Sequence, residues 1–204
     1  MLSSNQRKLI SHLQKKKYRL EKNLFVAEGK KVINELINSD WPFKNLFSTE
    51  EDFHPDSELL TSDEMKKISN FKTHSQALGV FLLPEPQKIL SEPITIGVDG
   101  ISDPGNLGTI IRLCDWFGIS ELICSKNTVD CFNAKVIQAS MGSIARVKCH
   151  YVTDLGEVLT KMQKPIYGAT IDGDSIYSTK LPNKASYIFG SESHGISKPL
   201  FNYL

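Results

Sequence analysis

Nothing in this 204-residue chain approaches the run of about 18 apolar residues that a membrane helix requires. Its opening stretch, MLSSNQRKLISHLQKKK, lacks the apolar core of a secretory signal. The expectation is a cytoplasmic protein with no membrane partner. Cysteine is sparse: Cys114, Cys124, Cys131 and Cys149 form no CxxC pair and share no repeated spacing. A zinc ribbon or a disulfide framework is therefore not what organises the fold, and the thiols read as reduced and mostly buried. The histidines (His12, His54, His74, His150 and His194) are scattered rather than paired with the cysteines, so no metal is expected. Also missing are GxGxxG and GxxxxGK[ST], the phosphate-binding loops of dinucleotide oxidoreductases and nucleotide triphosphatases. No internal repeat or low-complexity tract is present.

What remains is an ordinary globular composition, 40% hydrophobic and 23% charged, in a chain long enough to bury one large core or two small ones. Charge is more informative in its distribution than in its total of +1. Residues 1–31 carry nine Lys and Arg (Arg7, Lys8, Lys15, Lys16, Lys17, Arg19, Lys22, Lys30 and Lys31) against Glu21 and Glu28. That end is +7, so the remainder is −6. Such asymmetry fits an electrostatic footprint for a polyanion, and equally a solvated, Lys-rich first helix.

Three prolines in LPEPQKILSEP, around residues 84–93, mark a linker, because proline removes a backbone donor and biases its predecessor away from helix. Before it, Ser3 or Ser4 is expected to cap a helix running to about Tyr18, with Leu9, Ile10 and Leu13 on one face. LFVAEG, FKNLFST and ALGVFLL read as strands. KKVINELINS reads as a helix, and SDEMKKIS as a short helix capped by Ser62 or Asp63. After the linker, ITIGVDG, ELICS, RVKCHYV, KPIYGATI and ASYIFG read as strands. They alternate with helices NLGTIIRLCDWFG, CFNAKVIQAS and DLGEVLTKM, a pattern that implies a mainly parallel sheet covered on both faces. In such sheets ligands sit at the carboxyl ends of the strands. That singles out the loops after Val98, Ala169 and Phe189.

The first of these loops contains Asp103, Pro104, Asn106, Gly108 and Arg112. Asp103 suits a helix N-cap and Pro104 the first helical position. Leu107, Ile110, Ile111, Cys114 and Phe117 form the expected buried stripe, and Gly118 suits the C′ position. Gly108 lowers helix stability by about 1 kcal/mol relative to alanine. Residues 108 and 112 share a face, and helical side chains lean toward the N-terminus. Arg112 is therefore placed to lie over Gly108 and reach the loop mouth beside Asn106, where a guanidinium and an amide can meet phosphate and ribose hydroxyls. A purely structural glycine turn remains an alternative. The third loop ends a strand in Gly190, Glu192 and Gly195, bringing backbone close to a ligand with one carboxylate at the strand end.

Together these segments resemble the first two motifs of the SpoU/TrmH-type (SPOUT class) RNA 2′-O-ribose methyltransferases. Asp103, Pro104, Asn106, Gly108 and Arg112 match an Asp-Pro-x-Asn-x-Gly-x-x-x-Arg core. Gly190, Glu192 and Gly195 match Gly-x-Glu-x-x-Gly. CFNAKVIQASMGSIARV is similar to the segment between them. RKLISHLQKKKYRLEKNLFVAEGKKVINELI resembles the L30e-like substrate-binding domain of rRNA-modifying members. The resemblance implies an α/β fold: a small L30e-like α/β sandwich over residues 1–88, then an α/β-knot methyltransferase domain over residues 93–204. It implies S-adenosylmethionine as donor and a ribose hydroxyl in structured RNA as acceptor, ribosomal before transfer RNA. By position, Arg112, Asn106 and Glu192 carry the catalytic roles, and Ala169, Thr170 and Gly190 the cofactor contacts. Arg7, Lys8, Lys15, Lys16, Lys17 and Arg19 would meet RNA.

Two departures stand beside the match. A third motif, Pro-Met-x-Gly followed by Ser-Leu-Asn-Val, is expected after the second and has no counterpart before Leu204. The C-terminal knot segment is thus expected to be missing here, with weak cofactor binding by these 204 residues and a homodimer only when that segment is present. FKTHSQALGV also stands where the family often has Thr-Pro-Gln-Gly. A non-catalytic RNA-binding protein on the same fold is the alternative function, and a nucleotide-dependent oxidoreductase a more distant one.

Overall fold

A computed structural model describes residues 2–71 and 73–204; Lys72, within FKTHSQALGV, lies outside them. The chain divides into two units, residues 1–86 with 130–145, and residues 87–129 with 146–204.

The first unit opens with α1 (Ser4–Leu13), whose N-cap Ser3 forms a capping box with Gln6. The helix does not continue to Tyr18: Lys15 is extended, and α2 (Lys16–Lys22) starts anew. The break is closed by a side chain. Arg19 folds back, and its guanidinium donates to the Leu13 and Gln14 carbonyls, each at 2.9 Å, satisfying acceptors that the end of a helix leaves open. Then come β1 (Leu24–Glu28), α3 (Lys30–Asn38), β2 (Phe43–Ser48), β3 (Ser57–Leu59), α4 (Ser62–Lys66) and β4 (Ala77–Leu82). The N-cap of α4 is Thr61, not Ser62 or Asp63, in a capping box with Glu64. Strand β3 has no sequence signal of its own; it is three residues long and pairs parallel with β2.

The sheet order is β1-β4-β2-β3, with β1 and β2 antiparallel to β4. All of β1 is buried, as a strand covered on both faces must be. Ile10, Leu13, Val26, Met65, Leu78 and Val80 pack together on one side of the sheet.

Glu28 ends β1 almost wholly buried. Its carboxylate accepts from Ser69 Oγ (2.7 Å) and the Asn70 N–H (2.6 Å). Burial nevertheless pushes its carboxyl above the ordinary range, the hydrogen bonds opposing that rise. Because the folded value exceeds the unfolded one, the native state holds this proton more tightly. Its contribution is full below the unfolded value of about 4.3 and is lost as pH rises through the raised native value. Urea unfolding of Glu28→Gln across pH 4 to 8 is expected to show a shallower decline with rising pH than the parent; an unchanged slope contradicts this.

The second unit starts with β5 (Ile94–Asp99), α5 (Pro104–Trp116) and β6 (Glu121–Ser125). The chain then leaves it for α6 (Ala134–Ser140) and a 3₁₀ turn (Ser143–Ala145), which belong to the first unit. There Phe132 lies 4.9 Å from Phe25, ring centre to ring centre. The expected helix from Cys131 begins only at Ala134, where the Asn133 side chain caps it. The second unit resumes with β7 (Lys148–Val152), α7 (Leu155–Thr160), β8 (Ile166–Gly168) and β9 (Ala185–Gly190). KPIYGATI keeps strand geometry only over the three residues of β8.

Its sheet runs β7-β6-β5-β9-β8, every neighbouring pair parallel. α7 covers one face, where Leu155 and Leu159 pack with Ile123, Ile188, Ile196 and Leu200. Alternation puts Ile96 and Phe189 on the other face, under α5. Because β9 lies between β5 and β8, the loops following all three strands emerge side by side.

Candidate functional site

β5 delivers the first loop at its carboxyl end. Asp99, 6% exposed, accepts the Ser197 N–H at 2.8 Å, tying the end of β5 to the segment beyond β9. Gly100 has φ +67°, a conformation costly to residues with a Cβ. Its N–H donates to Ser125 Oγ at 2.9 Å. The turn is held further by Val129 N–H donating to the Ile101 carbonyl at 2.8 Å.

Asp103 caps α5 as expected, its Oδ1 accepting the Asn106 N–H at 2.9 Å, with Pro104 in the first turn. A carboxylate there also complements the positive end of the helix dipole. Leu107, Gly108, Ile111 and Cys114 are the buried residues of α5. Ile110 is only half-buried, and Phe117, expected in the core, is 71% exposed. Ile110 and Phe117 line an open groove instead. Gly118 adopts φ +70° just past the helix, the C′ role read from sequence.

β9 aligns with β5 so that Gly190 sits beside Asp99. The next residues close a tight turn: Ser191 and Gly195 exchange N–H···O bonds of 3.0 and 2.8 Å, with Gly195 at φ +63°. That turn presents Glu192 to α5, and Asn106 Nδ2 donates to Glu192 Oε1 at 2.7 Å. Two loops separated by 86 positions in sequence thus meet in one hydrogen bond. Asn106, Gly190 and Glu192 border a groove of about 460 Å³ whose walls include Ile96, Ile101 and Phe189. Cys114 also lines it, but burial pushes its thiol up to about 11. It is therefore protonated near neutrality and no nucleophile.

Other expected site residues stand apart from that groove. Arg112 is exposed and has no hydrogen-bond or ion-pair partner among the described residues. Gly108 is buried against the core, so it serves the packing of α5. Ala169 and Thr170 are exposed just after β8, where the Ala169 N–H donates to the Ile188 carbonyl at 2.9 Å. Among the basic residues, Arg7, Lys8, Lys15, Lys16 and Lys17 are exposed. Arg19 departs from the expected RNA contact. It is 3% exposed and ion-paired through Nη2 with Asp130 Oδ2 at 2.5 Å, so its charge is spent inside the first unit.

Sequence reasoning also missed the link between Asp99 and Ser197. Only the three-dimensional neighbourhood of these residues identifies them. Among the described residues no group of three His, Cys, Asp or Glu could hold a metal. None of their helices is long and apolar enough to cross a membrane.

Residues 93–204 match the SpoU rRNA Methylase family, and residues 5–79 match the MRM3-like substrate binding domain. The chain is 28% identical over 200 residues to the Bacillus subtilis 23S rRNA (guanosine(2553)-2′-O)-methyltransferase RlmP, covering 92% of this chain and 79% of that protein. It is 28% identical over 149 residues to 23S rRNA (guanosine-2′-O-)-methyltransferase RlmB of Neisseria meningitidis, covering 67% of this chain and 60% of that one. Among solved structures, a protein described as a TrmH-family RNA methyltransferase from Porphyromonas gingivalis superposes with a TM-score of 0.89 at 35% identity, over 100% of this chain and 86% of that one.

Proposed function

The chain belongs to the SpoU rRNA methylase family, and from that premise we propose that it methylates a ribose 2′-hydroxyl in ribosomal RNA of the 23S type, with S-adenosylmethionine as donor. The observation that carries this reading is the 2.7 Å bond between Asn106 and Glu192. It joins the two motif loops at the carboxyl edge of a parallel sheet, where such folds bind ligands.

The residues present fit the donor: the groove has apolar walls, and its rim offers an amide and a carboxylate. Gly190 at the end of β9, with Ala169 and Thr170 after the adjacent β8, would hold it. When bound, the donor supplies an activated methyl group. The chain's own residues orient the acceptor. Asn106 would fix Glu192, and the exposed Arg112 guanidinium would meet an RNA phosphate and the charge developing on the ribose oxygen. Arginine stays protonated at accessible pH, so its role here is electrostatic.

Arg7, Lys8, Lys15, Lys16 and Lys17 form the basic surface proposed for RNA. The MRM3-like domain that carries them, together with the named relatives, favours ribosomal over transfer RNA. The chain then works in the cytoplasm with that RNA. Leu113, Trp116, Phe117 and Phe189, between 42% and 85% exposed, support a homodimer as its assembly.

Asn106→Asp tests the site. Two carboxylates at hydrogen-bond distance cannot both ionise. Methyl transfer is expected to fall about tenfold or more, with a larger loss at pH 9 than at pH 6.5 and with RNA affinity retained. Unchanged transfer at both pH values would remove the bond from the reaction.

A further inference from the structure

We infer that Asp99 is a positioning residue for the reaction: its buried carboxylate sets the turn that carries Glu192 to Asn106. The inference rests on the ribose-methylation reading and deepens it, because Asp99 lies outside both motif cores.

Asp99 holds both legs of that turn. Through its backbone it stands opposite Gly190 in the parallel ladder of β5 and β9, and so registers the residue from which the turn starts. Through Oδ2 it accepts the Ser197 N–H at 2.8 Å, just past Gly195, where the turn closes. Between these anchors there is little slack. Ser191 and Gly195 exchange backbone bonds, and a Cβ on Gly190 would lie only 2.2 Å from the Ile196 nitrogen, so entry and exit run in contact. Ile196 itself is 5% exposed and packs with Leu155 and Leu159. A shift of Ser197 away from Asp99 is therefore passed to Glu192, whose Oε1 lies 2.7 Å from Asn106 Nδ2.

The face of the sheet decides that Asp99 acts through the turn and not on the ligands. Strand alternation puts Thr95, Gly97 and Asp99 on the face opposite Ile96. Gly97 there meets α7, a Cβ on it lying 3.3 Å from Leu159 and 3.4 Å from Leu155. The groove bordered by Asn106, Gly190 and Glu192 has Ile96 and Phe189 in its walls, so Asp99 leaves β5 on the far side from it. Its charge has a use in that place. A carboxylate accepting an N–H makes a bond about twice as strong as a neutral pair, and a carboxylate only 6% exposed is costly without such a partner.

The test uses the full chain, S-adenosylmethionine and an in vitro transcribed 23S-type ribosomal RNA. Single-turnover methyl transfer is measured for the parent, Asp99→Ala, Asp99→Asn and Ser197→Pro, and for Asp99→Ala in a Glu192→Ala background. Ser197 has φ −65°, the value that proline imposes. Ser197→Pro therefore removes the N–H at a compatible φ, and it carries the test if Asp99→Ala does not fold. Asp99→Ala and Ser197→Pro are expected to lose about 100-fold in rate with RNA affinity retained. Asp99→Asn keeps an oxygen for the Ser197 N–H and should recover to within about tenfold of the parent. In the Glu192→Ala background, Asp99→Ala should cost less than about threefold, because both substitutions then break one arrangement. A role in general stability would instead multiply the two losses. Independently of activity, the side-chain amide signals of Asn106 should move toward those of a solvent-exposed asparagine in Asp99→Ala and return in Asp99→Asn. Transfer by Asp99→Ala or Ser197→Pro within about threefold of the parent, multiplied losses, or Asn106 signals indifferent to Asp99→Ala, overturns the inference and leaves ribose methylation standing. A parent that transfers no methyl to the transcript overturns both.

Discussion

Gly190→Ala is expected to reduce methyl transfer by at least about 100-fold and to cost about 1–3 kcal/mol of stability, the range typical of overpacked sites. A Cβ at Gly190 would lie 2.0 Å from the Gly195 carbonyl carbon, 2.1 Å from its oxygen and 2.2 Å from the Ile196 nitrogen. All three are backbone atoms, and two belong to the turn held by the Ser191–Gly195 bonds. A flexible side chain could swing aside; a closed turn cannot. The turn has to open or shift, and Glu192 moves away from Asn106 with it. Shifts of about 1 Å in positioned groups cost on the order of 100-fold in rate. Urea unfolding and single-turnover transfer measure the two effects separately. A stable variant with parental activity would show that the turn has room that the packing denies it.

Arg112→Ala is expected to lower the rate of transfer by about 10² to 10³, the usual loss when a group stabilising developing negative charge is removed. Arg112 is exposed and has no partner among the described residues, so its removal breaks no internal contact. The melting temperature should hold, and the deficit should lie in the chemical step. Arg112→Lys separates two electrostatic roles. A lysine keeps the charge but loses the planar, two-pronged donor geometry. If that geometry aligns phosphate and ribose together, lysine recovers little activity although RNA affinity is kept. Near-complete recovery would reduce the role of Arg112 to a point charge.

The order of strands and helices in the second unit was legible because each element there signals locally. Asp103 and Pro104 start α5, Gly118 ends it, and the apolar strands lie between helical periods. The two site motifs were legible for the same reason, since each is a short run of residues with unusual local demands. What escaped depends on side-chain contacts and burial that local patterns do not record. The break after α1 has no glycine or proline to announce it; it follows from Arg19 reaching back to the Leu13 and Gln14 carbonyls. The same pairing removes Arg19 from the basic surface, a burial that charge counting cannot see. Residues 130–145 read as part of the second half but pack with the first unit. Phe132 against Phe25 and Asp130 against Arg19 hold them there. Phe117 fits the apolar period of α5 and is exposed all the same, because it lines an open groove rather than the core.

The bond between Asn106 and Glu192 makes one edge of the parallel sheet the centre of the account, and the acceptor atom is its most specific claim. The direct measurement is to supply S-adenosylmethionine labelled in its methyl group with unmodified 23S-type ribosomal RNA, digest the product with alkali and follow the label. A methyl on the ribose oxygen removes the nucleophile that alkali needs to cleave the adjacent phosphodiester. The account therefore predicts label in alkali-resistant dinucleotides, lost when Arg112 is replaced by alanine. Label in alkali-released mononucleotides, marking a methylated base, or no incorporation at all, would contradict it.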